Sequence, residues 1–496
     1  VDFDDLIRLP GKLLEEHNDI RAKYRDQFRY LMIDEYQDTN GTQYRFARQL
    51  VGPDRNICVV GDDDQSIYGF RGAEVDKILS FERDFPGAKV VKLEENYRST
   101  GPILELANAV ISQSVGRYPK ELRSNVPGGE PVTWIESPDA EAEVDCIISK
   151  FLELRAAERL KYEDIAVLLR SAIQARPFEE KLRLRDIPYT LVGGQSWFDR
   201  KEIRDVLAYW RVACNPQDDL SLLRIINVPK RGIGPTTVAK LDELARSRSE
   251  PIYMTLAKVA EGDGEFKPKV RAALGEFVKA LHTAASRFET KRDYEGAARE
   301  LLEDVAYDAA IEDLYPDKET AKLRWNAVEQ LLESASRWED KNPNEDFAEF
   351  LASLAIDTDR SNDKEKTKGV TLMTLHSAKG LEFPLVFLPG LEEELLPHRR
   401  SVQDGDHAID EERRLLYVGI TRARRRLFIT TAAKRSLWGK DKRRLPSRFL
   451  AELSEMNLFE RNDYGAHKPV QEDELKGLLA EYRRRSGIGE DSPTVE

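Results

Sequence analysis

The 496-residue sequence predicts an α/β protein: a mostly parallel sheet interrupted by a large all-helical insertion. Three observations carry this reading. Short apolar runs bounded by turn or acidic residues alternate with helix-like stretches, the pattern of a parallel sheet. A second set of such runs breaks off at 192 and resumes at 370. The residues between are rich in Leu, Ala, Glu, Lys and Arg at helical spacing and poor in β-branched runs.

In chain order, the first set is YLMIDE (30–35), ICVVGDDD (57–64) and AKVVKLEE (88–95). The second is VTWIES (132–137), DIAVLLR (164–170) and PYTLV (188–192), continued by VTLMTL (370–375), PLVFL (384–388) and LFITT (427–431). The helical insertion spans 195–364, and its exit, DTDRSNDKEKTKG (357–369), is polar like a linker. From 458 to 496 the chain reads as a polar tail.

This length exceeds what one hydrophobic core supports, so several folded units are expected. With 41% hydrophobic and 34% charged residues and no long apolar run, no membrane span is expected. The opening VDFDDLIRLP has neither the basic start nor the apolar stretch of a signal or transit peptide, which predicts a cytoplasmic address. Cys58, Cys146 and Cys214 are widely spaced in apolar or helical contexts, as reduced core thiols are. The net charge of −13 argues against a polyanionic partner, but from Arg422 to Arg448 eleven Lys or Arg face one acid, Asp441, so a local basic track is available.

In LMIDEYQDTN an apolar strand runs into Asp34 and Glu35. One carboxylate at such a tip can hold Mg²⁺ through its water shell while its neighbour orients and deprotonates a water in phosphoryl transfer; a plain structural turn is the alternative. In VVGDDDQSIYGFRGA, Gly61 permits a tight turn and Gln65 offers an uncharged donor and acceptor, suited to a terminal phosphate. The triplet Asp62–Asp64 reads as a capped turn in preference to a metal cluster. Tyr68, Phe70 and Arg71 interleave rings and charge as base-stacking surfaces do, though core aromatics look the same in sequence. In KLEENYRST, Tyr97 and Arg98 emerge together beyond a strand, a ring able to stack on a purine and a cation able to neutralise transferring phosphates. TLHSAKGLEF and EERRLLYVGITRARRRL place Glu382 and Arg422 on the second sheet, where an Arg can act as an arginine finger.

Together and in order, these strings resemble superfamily 1 DNA helicases of the UvrD, Rep and PcrA group from residue 1 to about 455. DEYQDTN is similar to motif II, VVGDDDQSIYGFRGA to motif III, LEENYRST to motif IV, VTLMTLHSAKGLEF to motif V and EERRLLYVGITRA to motif VI. The resemblance implies two RecA-like domains. The first, incomplete, would be 1–94, with 1–28 ending its helical insertion, and the second 95–194 with 365–457; the helices at 195–364 would be the inserted 2B-like domain. It implies an ATP- and Mg²⁺-dependent helicase moving 3′ to 5′ on single-stranded DNA in replication restart or repair. Its partners would be single-stranded DNA, single/double-strand junctions and replication or repair proteins.

Carried over by position, Asp34 would bind Mg²⁺, Glu35 would be the base, and Gln65 would sense the γ-phosphate. Arg98 and Arg422 would stabilise the phosphoryl group, Tyr97 would stack on adenine, and Glu382 would contact nucleotide. Phe3, Tyr68, Phe70, Arg71, Arg170 and His376 would meet single-stranded DNA. His376 outside this setting would read as a core histidine. NVPKRGIGPTTVAKL resembles the family's duplex-contacting turn, with Lys230 and Arg231 for phosphates; a helix-connecting turn is the alternative.

Three departures stand out. No G-x-x-x-x-G-K-[ST] phosphate cradle occurs in these residues, Phe70 replaces the usual Trp, and Ala172 replaces the usual Asn. A truncated record is the expected explanation of the first, leaving this fragment inactive alone. The competing reading is a non-hydrolysing DNA- or partner-binding module. A helicase–nuclease fusion is disfavoured, because the roughly seventy residues after motif VI are too few for a nuclease domain.

Overall fold

A computed structural model describes residues 2, 4–193, 196–355, 368–437, 440–453 and 456–464. Near the start, β1 (Leu31–Ile33) pairs parallel with β2 (Ile57–Val59). Next, β3 (Glu95–Thr100) pairs parallel with β4 (Arg123–Val126). The strands β5 (Val132–Ser137), β6 (Ile165–Leu169), β7 (Tyr189–Val192), β8 (Val370–Thr374), β9 (Phe383–Pro389) and β10 (Ala423–Ala432) follow. A hairpin, β11 (Lys434–Leu437) with β12 (Lys440–Arg443), precedes β13 (Phe459–Asp463).

Seven of these strands make one sheet in the order β13-β5-β10-β9-β6-β8-β7, parallel at every pairing. Parallel sheets are covered on both faces, which is why β6 (IAVLL) is buried at every position. Alternate residues feed opposite cores. Ala166, Leu168, Met373, Val386, Leu388, Leu427 and Ile429 point to one side, and Ile165, Val167, Val370, Leu372, Leu385, Phe387 and Phe428 to the other.

The chain leaves this sheet after β7 and returns in the adjacent β8, in register at Tyr189 and Val370. The helices between Lys201 and Ala355 therefore hang from two neighbouring strands, and they bury a core of their own around Trp210, Tyr209, Phe277, Leu331 and Phe347.

Three expectations change. Of the 88–95 run, residues 88–94 form no strand: Val91 is 65% and Leu93 79% exposed, and pairing begins only at Glu95. An extended apolar run becomes a strand only where another backbone lies beside it. The segment read as a tail from 458 begins with β13, whose Phe459 packs edge-on against Trp134 at the sheet margin. Cys146 and Cys214 are free thiols whose burial pushes them up to about 12, whereas Cys58 is exposed on β2. Among the described residues no helix is long and apolar enough to cross a membrane.

Candidate functional site

β1 delivers Asp34 and Glu35 to the same edge at which β2 delivers Gly61. Glu35 holds a left-handed backbone at φ 50°, an uncommon conformation that turns its exposed carboxylate away from the strand. The Gln37 amide fixes that carboxylate, donating from Nε2 to Glu35 Oε2 at 2.6 Å. Its Oε1 accepts the Asp62 N–H at 3.0 Å, so one buried glutamine ties both strand ends together. Gly61 is required here, since a Cβ would lie 2.4 Å from that oxygen. Asp34 is exposed, and its Oδ1 accepts the Glu35 N–H at 2.9 Å.

The Gln65 amide donates to Asp62 Oδ2 at 2.7 Å. The acidic triplet forms the expected capped turn, Asp62 accepting the Asp64 N–H, and its charge is met from within. The Lys120 ammonium lies 2.7 Å from Asp62 and 3.0 Å from Asp64 and also bonds Asp63, while Arg117 forks onto both oxygens of Asp64. Burial opposes the Lys120 charge, but the three carboxylates prevail and hold its pKa above the usual range. No sequence signal marked Lys120 or Arg117.

Lys379 was also missed, although it lies inside TLHSAKGLEF. Its buried ammonium bridges the two sheets, 2.6 Å from Asp38, 2.8 Å from the Gln65 carbonyl and 3.3 Å from Glu35 Oε2. Two residues of the Asp406–Ile420 helix reinforce this junction. Glu411 accepts the Gly69 N–H at 2.9 Å, and Arg414 donates to the Ser66 carbonyl at 2.8 Å.

Arg98 and Glu382 meet directly, Nε to Oε2 at 2.6 Å, and this hydrogen bond with its charge lowers the Glu382 pKa. Arg422 is 1% exposed and donates to the Val418 and Leu381 carbonyls and to Thr421 Oγ1. Burial foremost, then the charge of Arg98, brings its pKa down to about 10, so it is cationic at neutral pH. Tyr97 leaves its ring 72% exposed while its hydroxyl donates to Glu95.

Beside this junction Tyr68, Phe70 and His376 form one aromatic cluster, with centroids 5.4 to 6.5 Å apart, and Arg71 lies 5.2 Å above Tyr68 and 5.4 Å above Phe70. The Tyr68 hydroxyl donates to the His376 carbonyl at 3.0 Å, anchoring the cluster across the sheets. Phe70 remains 66% exposed. Burial first, then the nearby Arg170, pulls His376 down to about 4, leaving a neutral ring.

Other expected contacts are rearranged. Arg170 forks onto both oxygens of Glu412 at 2.5 and 2.8 Å, so its charge is committed internally. Arg231 points inward, to the carbonyls of Ile225, Ile226 and Pro229, the Tyr209 hydroxyl and the face of Phe277; it staples the turn and is withdrawn from phosphates. Lys230 stays in solvent, and its partner among the described residues, Asp313, is itself exposed. Phe3 lies outside the described residues.

Six of the eleven basic residues between Arg422 and Arg448 are ion-paired among the described residues, two of them in exposed pairs. Arg424 pairs with Glu382, Arg426 with Glu158, Arg435 with Glu143 and Glu392, Lys442 and Arg444 with Glu394, and Arg448 with Glu393. A sequence tally cannot see acids folded against it from elsewhere.

Residues 91–434 match the UvrD-like helicase C-terminal domain, and residues 1–86 match the UvrD/REP helicase N-terminal domain. The chain belongs to the UvrD-like helicase family. Among its relatives, the ATP-dependent DNA helicase PcrA of Staphylococcus aureus (strain MRSA252) is 38% identical over 476 residues, covering 95% of this chain and 64% of that protein. The protein of the same description from Staphylococcus epidermidis (strain ATCC 12228) is 39% identical over 460 residues, 92% of this chain and 62% of that protein. The chain thus spans under two thirds of the length of the relatives it matches.

Proposed function

We propose that this chain is the larger part of an ATP-dependent DNA helicase that translocates 3′ to 5′ on single-stranded DNA, in replication restart or repair. Residues 1–94 contribute to a first RecA-like domain, 95–194 with 365–457 form the second, and 195–364 form the 2B-like insertion. One observation carries the reading: Lys379 joins the Asp34–Glu35 edge to the Gln65 turn, while the same turn presents Tyr68, Phe70 and Arg71 beside His376. Chemistry at the acids and contact with bases are thereby mechanically connected.

In this reading Glu35 takes the proton of the attacking water, and Gln65 registers the terminal phosphate. Arg98 and Arg422 supply positive charge to it, Tyr97 stacks on the base, and Glu382 contacts the nucleotide. The exposed Asp34 carboxylate is a hard oxygen donor of the kind Mg²⁺ accepts, and the ion would supply charge neutralisation at the phosphates. The residues present fit only part of an ATP site, since the Gly-rich cradle string is not among them. The competing reading is a non-hydrolysing DNA- or partner-binding module.

The experiment is DNA-stimulated ATPase of the complete gene product and its Glu35→Gln variant. Turnover falling at least ~100-fold with DNA binding retained is expected of a catalytic base. Equal turnover in both proteins sinks the assignment, and no turnover in either supports the binding module.

A further inference from the structure

The loop between the Gly101–Ile111 helix and β4 belongs to none of the motif strings, yet it grips the turn that carries Gln65. Asp62, Asp63 and Asp64 hold oxygens within 4.8 Å of one another, and Asp63 and Asp64 are almost wholly buried. Three carboxylates so close repel unless a cation lies among them. That cation is the Lys120 ammonium, on a side chain only 15% exposed. The same loop reinforces it, the Tyr118 N–H donating to Asp63 at 2.8 Å and Arg117 forking onto Asp64.

Asp62 links this cluster to the site. Its Oδ1 faces Lys120 at 2.7 Å, while its Oδ2 accepts the Gln65 side-chain amide, also at 2.7 Å. One amide hydrogen is thus committed, and the other, with the amide oxygen, is left for a phosphate oxygen or its water. Asp62 is the most exposed of the three acids, so a buried ammonium on one oxygen is what steadies the other beneath Gln65. The loop also holds the connector leading from β2 to β3: Lys92 donates to the Pro119 carbonyl at 2.5 Å, and Glu94 accepts the Glu121 N–H at 3.0 Å. The connector and the Gln65 turn therefore share one anchor.

We propose that Lys120 is a positioning residue for Gln65: acting through Asp62, it fixes the amide in the orientation from which it registers the terminal phosphate. The inference rests on the helicase reading of Gln65 and names the residue on which that role depends.

The test is a mutant cycle in DNA-stimulated ATPase of the complete gene product, with Lys120→Met, Gln65→Ala and the two combined. Lys120→Met is expected to lower kcat ~10- to 100-fold, with the KM for ATP and the oligo(dT) affinity unchanged. In the Gln65→Ala background the same substitution is expected to add no further loss, since its effect runs through that amide. Lys120→Met also strands buried carboxylates, so Lys120→Met/Asp63→Asn, whose amide oxygen can still accept the Tyr118 N–H, separates folding from positioning. Its thermal melt is expected to recover while kcat stays low. Unchanged kcat in Lys120→Met, multiplied losses in the combined variant, or turnover that returns together with the melt overturns the proposal and leaves the helicase reading standing. No turnover in the parent protein overturns both.

Discussion

The ammonium of Lys379 lies 2.6 Å from the carboxylate of Asp38, joining residues 341 positions apart across two sheets. Burial raises the Asp38 pKa and Lys379 opposes that rise, so the fold resists the ionised acid and the lysine makes it tolerable. In Lys379→Met the Asp38 pKa should climb further. A carboxyl raised in the folded state favours folding below its unfolded value, near 3.9, and loses that contribution as pH rises through the folded one. The variant should therefore be destabilised by ~2 kcal/mol at pH 7 and approach the parent near pH 4. Thermal melts across that range check this; a deficit independent of pH contradicts it.

His376 is expected to remain neutral down to about pH 4. A histidine lowered in the folded state contributes stability that is complete above its unfolded value, near 6.5, and fades as pH falls toward the folded one. Stability should decline between pH 6.5 and 4 by ~1–3 kcal/mol, and His376→Gln should remove that part of the slope. An imidazole NMR titration with a midpoint near 6.5 would contradict the burial.

Arg435 joins Glu143 and Glu392, which are almost wholly buried, at 2.6 Å each. Arg435→Met strands both carboxylates and should cost ~3–5 kcal/mol, read as a lower urea midpoint. The Glu143→Gln/Glu392→Gln/Arg435→Met triple variant should recover much of it.

Lys230 and Arg231 are neighbours with opposite expectations. Arg231→Ala should lower the melting temperature by loosening the turn that it staples, at ~1–3 kcal/mol. Lys230→Ala should leave the melt unchanged and, if this turn meets duplex phosphates, reduce the salt slope of duplex binding by about 1. Equal melts for both variants would return Arg231 to the surface.

Phe70 is the exposed ring of the cluster. Phe70→Ala should weaken oligo(dT) binding by ~1–3 kcal/mol, and Phe70→Trp should match or strengthen it, because stacking follows ring area. Anisotropy at fixed salt reads both, and unchanged affinity in Phe70→Ala would remove the ring from the DNA path.

The residues alone determined the α/β class, the second set of strands, the helical run between β7 and β8, and the order of the motif strings. These depend on near neighbours: an apolar run such as IAVLL buries itself in any parallel sheet. Tertiary structure decided which charges are free. Glu412, 242 residues from Arg170, claims its guanidinium, acids from 143 to 394 pair with six residues of the basic run, and the Arg231 side chain turns inward. It also left 88–94 without a partner strand and added β13 to the sheet. Charge pairing and strand pairing both depend on what the fold brings alongside, and residue spacing carries no record of that.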